Sequence, residues 1–178
     1  MNAPQNIKFC FLIGMPGAGK TYWGERIAAH YQIEFIDLDR QIETIAGKSV
    51  ADIFNADGEE KFRQLEHEAL QTIIAGHRTV TVVSCGGGTP FYFNNLELMK
   101  QSGVVIYLKS EIRQLIKNLD ENTVIRPLLA QTNDLAATLT TLLRQRQAVY
   151  EQAHHILPTG NISLTTFAQI IAICTNRQ

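Results

Sequence analysis

The sequence predicts an α/β fold of three layers, a parallel sheet with helices on both faces. Three observations carry that expectation. Apolar, β-branched runs alternate with helical periodicities from end to end of the chain. Two of those runs, "IKFCFLI" and "VVIYL", are continuously apolar rather than alternating, the pattern of strands buried on both faces. The first of them passes directly into a glycine-rich turn and then a helical pattern, the strand–turn–helix unit of parallel sheets.

In chain order, "IKFCFLI" (7–13) reads as a buried strand. "KTYWGERIAAHY" follows as a helix, with Trp23, Ile27 and Tyr31 on one face. "IEFID" (33–37) is the second strand. Residues 38–75 read mostly as helix, interrupted near Gly47 and at Asp57-Gly58, with Phe62, Leu65, Ala69 and Ile73 recurring as a core stripe. "TVTVVS" (79–84), almost wholly β-branched, is the clearest strand and stops at "CGGGTP". "NNLELMKQSG" is a helix closed by Gly103, and "VVIYL" (104–108) another buried strand. "SEIRQLIKNL" is helical with Ser110 as its expected N-cap. "DENTVIRPLLAQTND" loses periodicity and carries a proline, a loop of a length that is usually functional or disordered. A helix ("LAATLTTLLRQRQAVYEQA"), a short strand ("HHIL") and a last helix ("LTTFAQIIAICTN") complete the chain.

The 178 residues suit one domain spanning 1–178, and a chain of this size buries about 70% of its unfolded surface, enough for a core without staples. A net charge of −1 gives no footprint for nucleic acid or for an anionic membrane, so an anionic ligand must be met by locally placed cations. Cys10, Cys85 and Cys174 are odd in number and lack any C-x-x-C spacing, which reads as buried thiols in a reducing compartment. The adjacent His154 and His155 point in different directions on either a strand or a helix and read as structural or exposed, not as ligands. "MNAPQN" is too polar to open a signal peptide, and no run approaches the ~20 apolar residues of a membrane helix. A cytoplasmic protein is expected.

"GMPGAGKT", Gly14 to Thr21, satisfies G-x-x-x-x-G-K-[ST] between a strand and a helix. Gly14, Gly17 and Gly19 let successive N–H groups turn inward, and these, with that of Ala18 and the positive end of the following helix, make a cradle for phosphates. Lys20 reaches the terminal phosphates of a nucleoside triphosphate, and the Thr21 hydroxyl is placed to ligate Mg²⁺. A chance glycine turn would match the letters but not the strand and helix around them.

Asp37 and Asp39, in "FIDLDR", stand where the second strand ends, at the carboxyl edge that lines the ligand crevice of an open α/β sheet. One acid can orient Mg²⁺ through water and the other accept a hydrogen bond from an attacking hydroxyl; alternatively one or both merely cap the next helix. Gly86, Gly87 and Gly88 end the best strand, either to let backbone approach a compact ligand or as a flexible turn before Pro90. Arg63 has Glu59, Glu60 and Glu66 within helical reach, and a solvated ion pair is the ordinary fate of such an arginine. Arg126 and Arg146 are individually unmarked.

Together, "GMPGAGKT", "FIDLDRQIE", "GKSVADIFNADGEEKFRQLE", "SCGGGTP", "NTVIRPLL" and "RQRQAVY" stand in the order and spacing of the shikimate kinase family, which the whole chain resembles. The resemblance implies a P-loop kinase fold with a five-stranded parallel sheet, a substrate-binding helical segment at about 38–75, and a mobile lid at about 119–133 that closes over ATP. It implies phosphorylation of the 3-hydroxyl of shikimate by ATP, with Mg²⁺, on the route to chorismate and the aromatic amino acids, by a protein that is by default a monomer. It implies that Asp39 holds ring hydroxyls and helps the attacking one lose its proton. Arg63 and Arg146 would grip the carboxylate, and Gly86, Gly87 and Gly88 would bring backbone against the ring. Lys20 and Arg126 would neutralise charge on the transferring phosphoryl group, and Asp37 would act through water on the Mg²⁺ bound by Thr21. The adenine-contacting arginine common in the family is not obvious, Lys117 or Asn118 occupying its neighbourhood.

Three other readings share the phosphate loop, one of them a nucleotide-binding regulatory protein without catalysis, in which Asp39, Arg63 and Arg146 together would be a coincidence. A GTP-binding switch would carry D-x-x-G and N-K-x-D, and the sequence has neither. A small-molecule kinase acting on gluconate or a related polyol acid would have no reason to carry "GEEKFRQLE" and "CGGG" in this register, and acceptor assays separate the two.

Overall fold

The computed structural model of the chain describes residues 8–76, 79–121 and 134–175. Strands β1 (Phe9–Ile13), β2 (Glu34–Asp37), β3 (Thr81–Ser84), β4 (Gly103–Lys109) and β5 (His155–Pro158) form one sheet in the order β2-β3-β1-β4-β5. Every neighbouring pair is parallel. Helices α1 (Lys20–Tyr31), α2 (Leu38–Ala46), α3 (Val50–Gly76), α4 (Asn95–Ser102), α5 (Ile112–Asp120), α6 (Leu135–Tyr150) and α7 (Leu164–Thr175) fill the crossovers and follow β5. The α/β expectation and the five-stranded parallel sheet are both met.

The central strands are apolar because both their faces are covered: all of β1 and β3 is buried, and β4 up to its last residue. Phe11, Leu12 and Ile13 are fully buried, each contributing about 2 kcal/mol of burial. The stripe on α1 docks as its spacing requires. Ile27 is buried, Trp23 packs on Phe167 of α7 at 5.6 Å, and the Tyr31 hydroxyl donates to the Leu164 carbonyl at 3.1 Å. Gly103 closes α4 and opens β4, and a Cβ there would run into the Phe9 backbone across the sheet. The three cysteines are free and buried. His154 is structural: its Nδ1 accepts the Val105 N–H at 2.9 Å.

The interruptions at Gly47 and Gly58 are both real. Gly47 ends α2 at φ 64°, and Gly58 kinks α3 at φ 82°, ψ 171°. One cap differs from expectation. Glu111, not Ser110, precedes α5, because the Ser110 hydroxyl is already shared with that of Thr159 at 2.7 Å. The expected lid at 119–133 lies outside the described residues beyond Glu121, and Arg126 with it.

Strand order places the ligand crevice. β1 leads through α1 to β2 on one side of it, and β3 leads through α4 to β4 on the other. The carboxyl ends of β1 and β3 therefore part where the order reverses, the point at which open α/β sheets hold ligands. The glycine loop after β1 and the glycine triplet after β3 face each other there.

Candidate active site

The loop from Gly14 to Gly19 turns because Gly17 and Gly19 take φ near +82° and +83°, a region side chains disfavour. It delivers the chain to the N-terminus of α1, whose first turn has no acidic residue and whose open N–H groups favour an anion. Lys20 is buried and folded back over the loop, its Nζ donating to the carbonyls of Gly14 (2.9 Å) and Met15 (3.0 Å). From the other side, Asn118 of α5 donates to the Gly17 carbonyl at 2.7 Å.

Asp37 performs two tasks. Its Oδ1 accepts the N–H groups of Asp39 (3.1 Å) and Arg40 (3.3 Å), capping α2, while its Oδ2 accepts the Thr21 hydroxyl at 2.7 Å. The Ser84 hydroxyl lies 3.3 Å from that of Thr21, because Asp37 and Ser84 are register partners at the ends of β2 and β3. Hard oxygens from Thr21 and Asp37 therefore stand together beside the loop, a donor set that suits Mg²⁺ completed by water and phosphate.

The glycine triplet is where the residues expected to hold the acceptor meet. A Cβ on Gly86 would lie 3.2 Å from Asp39 Oδ1 and 2.5 Å from Glu66 Oε1. One on Gly87 would lie 3.4 Å from Arg146 Nη1 and 3.0 Å from the ring of Pro16 in the phosphate loop. One on Gly88 would lie 2.5 Å from the Arg63 guanidinium. Asp39, Arg146 and Arg63, from α2, α6 and α3, thus converge on three consecutive residues with no side chains, and Gly87 touches the loop before Lys20. The reading of "GGG" as a flexible turn gives way to one of close approach.

Arg63 is an ion pair, but not a solvated one. It is 3% exposed, and its Nη1 donates to Glu66 Oε2 at 2.8 Å, while Nε and Nη2 donate to Glu59 Oε1 at 3.2 and 2.9 Å. Phe54, Phe62 and Tyr92 surround the guanidinium with ring centroids at 5.9, 5.1 and 4.7 Å. Burial works against its charge, yet Glu66 and Glu59 outweigh it and raise the pKa. Arg146, also buried, lies over Phe91 at 5.5 Å. Burial pushes the Cys85 thiol far up, which removes it as a nucleophile.

Four residues were not legible as part of this site. Glu66 is fully buried, accepting from Arg63 with one oxygen and from the Thr89 hydroxyl with the other. Thr89 is in turn held through its carbonyl by Asn95 at 3.0 Å. Ser84 and Asn118 complete the phosphate side. Glu66 left a signal in lying on the Phe62, Ala69, Ile73 face, where a carboxylate needs a buried partner, and Asn118 stood out only as a neighbour of the expected adenine contact.

Gly88→Ala tests the close approach. Arg63 is pinned by two carboxylates and three rings, so the new methyl group displaces it. The affinity for an acidic acceptor then falls about tenfold or more, while that for the nucleotide holds, as separate titrations will read.

A family model for shikimate kinase matches residues 16–175. The chain is 41% identical over 145 residues to a shikimate kinase of Azobacteroides pseudotrichonymphae, covering 80% of this chain and 85% of that one. It is 39% identical over 158 residues to one of Pelotomaculum thermopropionicum, covering 89% and 90%. Among solved structures, the shikimate kinase of Acinetobacter baumannii in complex with shikimate aligns with a TM-score of 0.83 at 31% identity, over 98% of this chain and 96% of that one. The glycine triplet, the arginines gathered on it and the phosphate loop from Pro16 onward lie inside the matched region, and the chain belongs to the shikimate kinase family.

Proposed function

We propose that the protein transfers the γ-phosphoryl group of ATP to the 3-hydroxyl of shikimate, on the route to chorismate and the aromatic amino acids. The observation that carries this reading is the convergence of Asp39, Arg146 and Arg63 on Gly86, Gly87 and Gly88, beside the phosphate loop. A small ring acid fits such a place: its carboxylate meets two guanidinium forks, its ring lies against bare backbone, and its hydroxyl meets a carboxylate.

Of the two partners of Arg63, Glu66 is fully buried and Glu59 is 41% exposed. Glu59 is therefore the one a substrate carboxylate displaces, while Glu66 stays and fixes the guanidinium. Asp39 accepts the hydrogen bond of the attacking hydroxyl and takes its proton as the bond to phosphorus forms. Lys20, with its Nζ above the loop, leaves the carbonyls of Gly14 and Met15 for the phosphate oxygens and offsets the charge that gathers on them. Arg126 is assigned the same role. Gly14, Gly17, Ala18 and Gly19 shape the nest in which the triphosphate rests. Thr21 and Asp37 would hold Mg²⁺, which when bound neutralises phosphate charge. The transfer asks for alignment and charge stabilisation, with no covalent enzyme intermediate.

No helix among the described residues is long and apolar enough to cross a membrane. We assign the protein to the cytoplasm, as a monomer. A coupled assay with ATP tests the function: turnover is expected with shikimate and not with gluconate, and activity on gluconate alone, or on neither, overturns it.

A further inference from the structure

Tyr150 has no part in the chemistry above, yet it is among the most completely buried side chains of the protein. It is the last residue of α6, one turn after Arg146. Its ring is stacked on Tyr107 at 4.9 Å and meets Phe91 edge-on at 5.3 Å. Filling that space needs only a phenyl ring. The hydroxyl does something further: it donates to the carbonyl of Gly87 at 2.5 Å and accepts from the Arg146 guanidinium beside it. Burial, partly offset by Arg146, pushes its pKa up, so the hydroxyl remains a donor across the working range of pH.

The middle of the glycine triplet is where such a bond matters. The carbonyl of Gly86 accepts the Thr89 N–H at 3.2 Å, and that of Gly88 accepts the Phe91 N–H at 3.0 Å. Between them the Gly87 carbonyl is held by Tyr150. With no side chains on either residue, the Gly87–Gly88 peptide has little else to set its plane. That peptide is trans and planar, so a carbonyl turned toward Tyr150 turns the Gly88 N–H to the opposite side. Gly88 lies against the Arg63 guanidinium, and Gly87 beside that of Arg146.

We propose that Tyr150 is a positioning residue for the acceptor: by holding the Gly87 carbonyl it aims the Gly88 N–H, as a third donor, at the carboxylate gripped by Arg63 and Arg146. The helix that carries one carboxylate fork thereby also sets the backbone donor beside it. The inference rests on the acceptor pocket proposed above.

Tyr150→Phe tests it, since the ring packing survives and only the hydroxyl is lost. KM for shikimate is expected to rise about tenfold, the size of one lost buried hydrogen bond, with KM for ATP unchanged and the effect flat with pH. A merely structural tyrosine would lower Tm and either leave both KM values alone or weaken both substrates alike; either result overturns the proposal. Arg63→Ala, run in parallel, separates the two levels. If it raises KM for shikimate and Tyr150→Phe does not, the positioning role alone falls. If Arg63→Ala also leaves KM at the wild-type value, the pocket itself is misplaced and Tyr150 loses its role with it.

Discussion

Asp39→Asn lowers kcat with shikimate by about a thousandfold, while KM for ATP and thermal stability stay close to those of the parent protein. The substitution keeps the size and the hydrogen-bonding shape of the side chain but removes its ability to take a proton. It also leaves α2 intact, because the oxygen that caps that helix belongs to Asp37, which accepts the backbone N–H of residue 39 whatever its side chain. The contact with Gly86 is preserved as well, since the amide occupies the space of the carboxylate. Fold and nucleotide site are thus controls within the same variant, and a loss confined to turnover identifies the proton acceptor. Steady-state kinetics with each substrate varied, beside a thermal melt, make the measurement. Turnover within tenfold of the parent would mean that the hydroxyl proton leaves by another route.

How far the site could be read in advance depended on how local its determinants are. The strand–loop–helix from Phe9 to Tyr31 is specified by its own residues: apolar run, glycine turn, helical stripe, with the helix starting at Lys20 as the motif requires. The breaks at Gly47 and Gly58 are equally local, each glycine taking positive φ. Strand order is not local. Nothing within "TVTVVS" says that it lies between β1 and β2, yet that placement puts Ser84 in register with Asp37 and the glycine triplet opposite the phosphate loop. The ambiguity of Arg63 has the same origin. Its partners Glu59 and Glu66 lie within helical reach, but its burial depends on Tyr92 and Gly88, from other parts of the chain, and on Phe54, which lies beyond the kink at Gly58. Ser110 failed as a cap because Thr159, 49 residues away, holds its hydroxyl. Asp37 was read as either a cap or a metal-side acid; its two oxygens face different ways, so it caps with one and reaches Thr21 with the other.

Arg63→Ala raises KM for shikimate at least about thirtyfold, since losing one partner of a desolvated charge pair costs about 2–5 kcal/mol. KM for ATP is unaffected, because Arg63 approaches the acceptor side of the crevice through Gly88 and no residue of the phosphate loop. The same substitution also destabilises the fold, by about 3–5 kcal/mol, because it leaves the fully buried Glu66 without its cation. The two losses have different causes and can be separated. Glu66→Gln on the Arg63→Ala background removes the stranded charge while its amide oxygen still accepts from Thr89. Stability then returns most of the way, while the affinity for shikimate does not, because the fork that binds the carboxylate is still missing. Urea unfolding of the parent, both single variants and the double variant gives the coupling between the two charges; shikimate kinetics on the same four proteins give the binding role. If affinity returned together with stability in the double variant, Arg63 would be a scaffold for the pocket and not its carboxylate ligand.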